Sequence, residues 1–447
     1  MIDTSSQTIV IVGAGPAGLL LAQYLLRRGY RVEIYDRRPD PRQIAPDEQR
    51  SFPISLQYRG RRALQGIPGL EKAIAAYGVM CRGTYVHRQG KARRIPRQHP
   101  ILTVDRNRLV LVLLEQLVAR YPDPARLSLT FDCPCQAVDS QAQTVSFEAE
   151  GQSVTVPYDR LIGADGARST VRAALVANHG LNCQQTYVPD AYKSIFLART
   201  NPQQGIELAP DFIHACNIGG DARILLAPQP GDQMHGAFIF NAKNSPFDGL
   251  KTTADVLDYF ATHLPTFRPL LSKAEAEALL QRPTARLTTV TCDRFHQGDR
   301  ILILGDAAHA VSPSIGQGCN SALQDVEWLN QLLDQHQDDW SQVLPQFSQQ
   351  RVVEAHALRD LSDYSFPRSK ALVLEFFLRL TVGRKLHQWF PQRFSPFVFD
   401  LVLDTDLSYS EVLHLSEGWI NKVKRSRAAI ASAPEVTSWG DSDDNEA

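Results

Sequence analysis

A mixed α/β fold is predicted: a parallel sheet layered with helices, an antiparallel sheet set into it, and a mainly helical C-terminal region. Three stretches carry that expectation, at residues 8–18, 158–172 and 300–329, each an apolar strand ending in a glycine-rich turn before a helix-like run. Apolar strands followed by helices belong to parallel sheets buried between helical layers. Between the second and third stretches lie short runs at 192–200, 212–216, 223–226 and 236–240, divided by Gly, Pro and Asp. These read as antiparallel strands.

The first strand, Thr8–Val12, leads into Gly13-Ala14-Gly15-Pro16-Ala17-Gly18 and a helix over 19–28, with Gly29 at the cap position. A second strand over 31–35 ends at Asp36-Arg37. Gly13 permits the tight turn, Gly15 lets a pyrophosphate approach the backbone, and Ala17-Gly18 let helix and strand pack closely. Asp36 is placed to accept from adenosine ribose hydroxyls. A lone Gly-x-Gly-x-x-Gly is weak, but here strand, helix, second strand and acid are in register. A Rossmann-like dinucleotide-binding unit is expected, and the motif does not choose between FAD and NAD.

The second stretch turns at Asp165-Gly166, and Ser169 or Thr170 can cap the next helix. Alone it would be an ordinary surface turn. The third runs from an apolar strand into Gly305-Asp306-Ala307-Ala308-His309 and then Pro313 to Asn320. An acid thus stands at a strand tip, and the loop Gly316-Gln317-Gly318-Cys319-Asn320 opens a helix. Free N–H groups at a helix N-terminus favour a phosphate or an anionic ring.

Helices are expected at 255–263, on the outer side of the antiparallel sheet, and at 349–366 and 369–386. From residue 431 the chain is rich in Ser, Asp and Glu and is expected to be disordered. A length of 447 residues allows two or three domains. A net charge of -1 gives no reason to expect nucleic acid. The 7 cysteines are scattered without CxxC spacing, which points to reduced thiols in the cytosol and to no metal site. The polar first residues exclude a secretory signal, and no apolar run is long enough to span a bilayer. The run 371–382, broken by Glu375 and Arg379, reads as a core helix, a lid or a membrane-surface helix. A cytoplasmic protein is expected, with peripheral membrane contact left open, as is its oligomeric state.

Taken together, the dinucleotide fingerprint, the Gly163-Ala164-Asp165-Gly166-Ala167-x-Ser169-x-Val171-Arg172 segment and the Gly305-to-His309 segment with its Gly-Gln-Gly-x-Asn extension resemble the FAD-dependent aromatic hydroxylases. These are the group A flavoprotein monooxygenases of the para-hydroxybenzoate hydroxylase fold. The likeness covers residues 8 to 430 and is nearest to the kynurenine 3-monooxygenase branch. Tyr58-Arg59-Gly60-Arg61-Arg62-Ala63-Leu64, Thr103-Val104-Asp105-Arg106, Phe347-Ser348, Arg351 and Asp360-Leu361-Ser362 carry that finer match. It implies an FAD-binding domain over 1–75, 100–180 and 287–350, a substrate domain over 76–99 and 181–286, and C-terminal helices over 351–430.

The resemblance also implies tightly but non-covalently bound FAD, and NADPH or NADH as a transient co-substrate, since no second Gly-x-Gly-x-x-Gly follows a strand. O2 would be captured as a flavin hydroperoxide that hydroxylates an aromatic, or more apolar, small molecule. Asp306, turned by Gly305, would bind the ribityl chain, and Gly316 to Asn320, with Gln317 and Cys319, would face the isoalloxazine ring. Arg50 and Arg106 would contact FAD phosphate or ring edges, though each reads equally well as a surface ion pair. Asp165 would join the pyrophosphate region to the NAD(P)H path. Catalytic roles fall to Pro313, Gly318, Asn320 and Tyr409, and the pocket to Thr84, Arg97, His214, Ser314, Ile315, Leu374 and Tyr409.

At the pocket the sequence departs from that branch. Where the branch holds an amino-acid carboxylate with Arg and Tyr, this chain has Thr84 and Arg97, and a third polar position falls near Leu374. The pocket is therefore expected to be less fitted to an amino-acid head group and more apolar at its C-terminal wall. Arg97 either pairs with a carboxylate or is one more solvated charge of the basic run 91–97. Two other readings keep the scaffold: a flavin-dependent reductase of prenyl chains, and a non-catalytic carrier, which would have no need of Asp165 and Asp306.

Overall fold

The computed structural model describes residues 4, 6–45, 51–88, 90–219, 222–367 and 369–431. The chain begins with β1 (Thr8–Val12), α1 (Pro16–Arg27), β2 (Arg31–Tyr35), β3 (Pro53–Leu56), α2 (Tyr58–Gln65) and α3 (Leu70–Ala75). A long hairpin follows, β4 (Val79–Arg88) and β5 (Lys91–Asp105), then α4 (Arg106–Arg120) and β6 (Leu127–Thr130). The meander β7 (Cys135–Asp139), β8 (Thr144–Ala149) and β9 (Gln152–Pro157) precedes β10 (Arg160–Gly163) and α5 (Thr170–His179). Next come β11 (Cys183–Ala198), the small hairpin β12 (Thr200–Asn201) and β13 (Ile206–Glu207), then β14 (Ile213–Gly219), β15 (Ala222–Gln229), β16 (Gln233–Asn241), α6 (Thr253–His263) and α7 (Lys273–Gln281). Strand β17 (Ala285–Cys292) leads back to β18 (His296–Gln297), β19 (Ile301–Ile303), α8 (Asp306–His309), α9 (Gly318–Gln335) and α10 (Trp340–Tyr364). Last are α11 (Lys370–Leu378), α12 (Arg384–Trp389), α13 (Val398–Asp404), α14 (Tyr409–Leu415) and α15 (Glu417–Ala431).

The parallel sheet is ordered β18-β19-β10-β1-β2-β6 and is antiparallel only at β18. Ile9, Val10 and Ile11 have no exposed surface, so β1 needs a cover on each face. Helix α1 is one such cover, and a Cβ on Gly18 would lie 2.1 Å from the Gly13 carbonyl oxygen. No side chain caps α1, whose N-cap is Gly15, so its first N–H groups remain available.

The larger sheet is ordered β17-β11-β16-β15-β14-β4-β5-β3 and is antiparallel at every joint except β4–β14. One face buries Ile195, Leu226, Phe238, Phe260 and Phe267 in a core shared with α6 and α7. The boundary expected at residue 100 falls inside β5, and β3 joins the same sheet from the first unit. A third core gathers Leu358, Leu361, Tyr409, Trp419 and Ile420 among the C-terminal helices, and Ile315 belongs to it.

Two helices differ from expectation. Helix α10 starts at Trp340 rather than near 349 and keeps Pro345 inside it, because Trp340, Val343, Leu344 and Phe347 are fully buried there. That burial outweighs the missing N–H of one proline. The helix expected over 369–386 loosens into a π turn at Arg379–Gly383, where Gly383 is a poor helix former. Residues 432–447, expected as a disordered tail, and Arg50 lie outside the described residues.

Candidate flavin and substrate site

The loops after β1 and β10 meet through a glycine. Gly13 has φ +110°, its N–H donates to Tyr35 O (2.8 Å), and a Cβ there would lie 2.5 Å from Ala164 O. Around Gly15 there is open space instead, an available cradle for a pyrophosphate. Asp36 is buried, which opposes its charge. The side chain and N–H of Arg38, together with the Ala14 N–H (2.7 Å), nevertheless hold its carboxyl below the usual range. Arg38 therefore backs this acid, while Arg37 is exposed. Asp165 accepts from Thr170 N (2.7 Å) through one oxygen. Its other oxygen is buried without a partner among the described residues, and burial raises its pKa.

The acid at the tip of β19 is aimed by a second, deeper acid. Asp325 accepts from Gly305 N (2.8 Å), His309 Nε2 (2.6 Å) and Arg351 Nε (2.7 Å), and all three side chains are buried. Burial opposes the charge on Asp325, but His309 and Arg351 keep its pKa lowered. The Gly305 turn, at φ +60°, is thereby fixed from behind. Asp306 itself is exposed to the cleft, with Arg106 and Cys319 beside it. Arg106 sits deep in that cleft, where burial lowers its pKa and Asp306 acts against the lowering. Burial and Asp306 push the Cys319 thiol up to about 12. Arg106 opens α4, whose N-cap, Asp105, accepts from Asn107 N (2.9 Å) and lies 3.1 Å from His235 Nδ1.

The Gly316-to-Asn320 loop is pinned by side chains. Gly316, at φ +66°, closes the Pro313–Ile315 turn. Asn320, with no exposed surface, donates to Ser55 O and Gly316 O (both 2.9 Å) and accepts from Gln57 N (2.8 Å). Its amide is fully occupied in holding the loop, which leaves the N-terminal N–H groups of α9, uncapped by any side chain, to meet a ligand. The Gln317 amide donates to Gln57 Oε1 and accepts from Tyr409 Oη (2.8 Å). Tyr409 is fully buried, and the Arg59 guanidinium lies 4.5 Å from its ring centroid. Ser314 donates to Ser362 O, and Ile315 is buried in the C-terminal core.

Register decides which pocket residues converge. Thr84 pairs with Ile95 and with Ile213, so those three share a sheet face, and Arg97 follows two residues after Ile95. Ile95 packs on the core that holds Ile315 and Tyr409. Arg97 is set deep beside Asp404, and its Nε and Asp404 Oδ1 are both buried without hydrogen-bond partners among the described residues. Burial lowers the pKa of Arg97 and raises that of Asp404.

Two expected pocket residues are not brought there. His214 follows Ile213 and so points to the opposite face, 2.8 Å from His87 and stacked on Tyr85. His235, in register with Ala227, which packs against Ile213, lies on the Thr84 face instead. Leu374 is 75% exposed on α11 and forms no closed wall. The sequence reading missed Gln57, Arg38 and Asp325, whose roles depend on partners far along the chain. Only the run 58–64, beside Gln57, carried a signal.

Thus an exposed acid, a deep cation, a glycine cradle, an unpartnered buried carboxylate oxygen and two uncapped helix N-termini surround one cleft. That donor set fits a dinucleotide carrying an anionic ring. Comparison with known proteins agrees. The FAD binding domain family matches residues 6–360. The chain is 30% identical to kynurenine 3-monooxygenase of Sus scrofa over 432 residues, spanning 94% of this chain and 88% of that one. It is 32% identical to kynurenine 3-monooxygenase of Salinispora arenicola (strain CNS-205) over 442 residues, spanning 96% and 94%. Among solved structures it is similar to 2-methyl-3-hydroxypyridine-5-carboxylic acid oxygenase, with TM-score 0.63, 19% identity and coverage of 85% and 92%. HpxO of Klebsiella pneumoniae complexed with FAD and uric acid gives TM-score 0.60, 20% identity and coverage of 95% and 98%. At those identities the solved structures speak for the fold.

Proposed function

The chain belongs to the FAD-binding family of flavoprotein aromatic hydroxylases that includes the kynurenine 3-monooxygenases, and on that premise we propose that its substrate is an aromatic small molecule carrying a carboxylate, received by Arg97. The reaction class follows from membership: an FAD-dependent monooxygenase that takes electrons from NAD(P)H and inserts one oxygen atom of O2. FAD supplies hydride acceptance and O2 activation.

The chain's own residues bind, orient and exclude water. Asp306 is placed to hold hydroxyls of the cofactor's polyol chain, Arg106 and the N–H groups of α9 to favour negative charge on the ring, and Gly15 and α1 to seat the pyrophosphate. Asp165 offers its free oxygen where the two loops meet. Tyr409 and Ile315 close the cleft on the C-terminal side and keep it dry.

The observation that carries the substrate reading is the half-buried Arg97 guanidinium beside Asp404, whose Nε is buried without a hydrogen-bond partner among the described residues. A buried N–H without a partner is costly, and a carboxylate meets a guanidinium with two parallel bonds. Kynurenine, named by the relatives, is an aromatic of this kind. NADPH and NADH oxidation, O2 uptake and product mass should be followed with kynurenine, other carboxylated aromatics and their uncharged analogues. Consumption stimulated chiefly by the carboxylated set, with one added oxygen, is expected. In Arg97→Met, KM for that set should rise about 10- to 100-fold, the loss of a charged hydrogen bond. Equal stimulation by uncharged analogues, or an unchanged KM in Arg97→Met, overturns it.

No helix among the described residues is long and apolar enough to cross a membrane. Residues Leu374, Leu378 and Val382 recur at helical spacing on an exposed face. With the exposed Trp389, Phe390 and Phe394 they support contact with a membrane surface through this segment.

A further inference from the structure

The chain leaves the parallel-sheet unit along β11 and returns along β17, and both strands meet that unit at a cysteine. Cys183 opens β11, Cys292 closes β17, and the two are directly opposite in the antiparallel register. Next to them Asp293 N donates to Asn182 O (3.0 Å). By the alternation of an antiparallel ladder, Cys183 and Cys292 then form a non-hydrogen-bonded pair, the kind with Cα atoms about 4.5 Å apart. A disulfide accepts that spacing. The two sulfurs are 3.0 Å apart, with the Cys292 thiol donating to Cys183, whereas Cys81 and Cys216 bond to oxygens.

The surroundings activate one member of the pair. The hydrogen bond from Cys292 lowers the pKa of Cys183 to about 7, and the Arg172 charge acts in the same direction against burial. Cys292 is correspondingly raised. Cys183 is only half-buried and lines an open cleft of about 490 Å³ with Asn182, Gln184, Asp293 and His356, so a small oxidant can reach it. A partly exposed low-pKa thiol beside a second thiol is the arrangement of a reactive pair.

We propose that Cys183 and Cys292 are a reversible disulfide site, oxidised by hydrogen peroxide, that clasps the two crossover strands together. The Cys183 thiolate sulfur attacks one peroxide oxygen, the O–O bond breaks, and the leaving hydroxide takes a proton to become water. The Cys292 sulfur then attacks the sulfur of the Cys183 sulfenic acid. The S–O bond breaks, and a second water leaves with the Cys292 proton. Two thiols lose two electrons in total, one peroxide becomes two waters, and a dithiol reverses the bond. Resting on the function proposed above, the oxidant has a source in the enzyme: O2 reduced by NAD(P)H without oxygenating a substrate leaves as hydrogen peroxide.

The site is one contact from the cofactor loops. Arg172 donates to Gln185 Oε1 (2.9 Å), two residues along β11, and also to Ala167 O (2.7 Å) and Ala307 O (2.8 Å). Those carbonyls belong to the segments that carry Asp165 and Asp306.

The test uses FAD-loaded enzyme treated with added hydrogen peroxide, quenched with catalase, alkylated and mapped by peptide mass. A single Cys183–Cys292 disulfide is expected, with the intact mass lowered by two hydrogens. A higher Tm should accompany it, because the bond closes a loop spanning 109 positions. Dithiothreitol should reverse both changes. Cys183→Ser and Cys292→Ser should keep the basal NAD(P)H oxidation and gain neither, and Cys292→Ser should leave a Cys183 sulfenic acid trappable by dimedone. Unpaired thiols after treatment, pairing elsewhere, or the same Tm rise in Cys183→Ser overturns the proposal. Added peroxide needs no turnover, so a missing hydroxylase activity and a missing disulfide are separate failures.

Discussion

Asp325 and Arg97 show two treatments of a buried charge. Asp325 is answered on every side, by Arg351, His309 and the Gly305 N–H. Asp325→Asn removes the anion and strands Arg351, which should cost about 3–5 kcal/mol. Thermal unfolding should show the drop together with loss of bound FAD, since the turn carrying Asp306 loses its support; an unchanged Tm would remove Asp325 from this role. Tyr409→Phe is a finer cut. It leaves Gln317 Oε1 unpaired in a buried site, worth about 1–3 kcal/mol. Steady-state kinetics should show kcat/KM for the aromatic down about tenfold with FAD content retained. His214 sets a pH response. Its Nε2–H donates to the Ala209 carbonyl, so its Nδ1 accepts from His87, and a proton there would force His87 to give up its own Nε2–H. Burial lowers the His214 pKa to about 4, against an unfolded value of about 6.5. A histidine with a depressed folded pKa contributes stability that is present above pH ~6.5 and is lost as pH falls through ~6.5 toward ~4. The shift amounts to about 3 kcal/mol. Denaturant midpoints should therefore fall over that window in the native chain and flatten in His214→Phe; parallel curves would contradict it.

At the scale of elements, glycines separate packing from binding. A Cβ on Gly18 meets the Gly13 carbonyl at 2.1 Å, whereas one on Gly15, at φ -79°, meets nothing. Gly18→Ala should misplace α1 on β1 and lower the Tm of the apoprotein. Gly15→Ala should leave that Tm in place and weaken FAD binding by tenfold or more, read by fluorescence titration, because the methyl occupies the pyrophosphate's approach. Equal FAD affinity in Gly15→Ala would move the pyrophosphate elsewhere. This β1–α1–β2 unit was legible in the sequence because its signals are local: an apolar run, three glycines, an acid. The place of Asp306 just past the end of β19 was legible for the same reason. The sheet pocket was not, because a strand's inward face depends on register, and one residue separates Ile213 from His214. Gln57 was invisible for another reason: its amide partner, Gln317, stands 260 positions away. Arg37 and Arg38 are neighbours in sequence, and only the turn after β2 decides that Arg38 folds back onto Asp36.

For the whole molecule, the C-terminal helices do two jobs on two faces. Their inner face holds Tyr409, Trp419 and Ile420 in one core with Ile315, which ties the C-terminal helices to the loop that precedes Gly316. Their outer face leaves Leu374 75%, Leu378 57%, Trp389 69% and Phe390 51% exposed, with Arg393 close in sequence. Several large apolar side chains exposed in one segment suit a contact surface rather than ordinary exterior. Within run 371–382, Leu372, Phe376 and Leu380 are buried in the C-terminal core while Leu374, Leu378 and Val382 face outward, so one side packs as a core helix and the other is open to a contact. Cosedimentation with vesicles should show binding that strengthens with anionic lipid, since about 1 kcal/mol is gained per basic residue near such a surface. The double variant Leu374→Ser, Trp389→Ser should lose most of that binding and keep its kcat with soluble substrate, because neither residue reaches the cleft. If the wild-type chain ignores vesicles but sediments as a concentration-dependent oligomer that the double variant abolishes, the face belongs to a second copy of this chain instead.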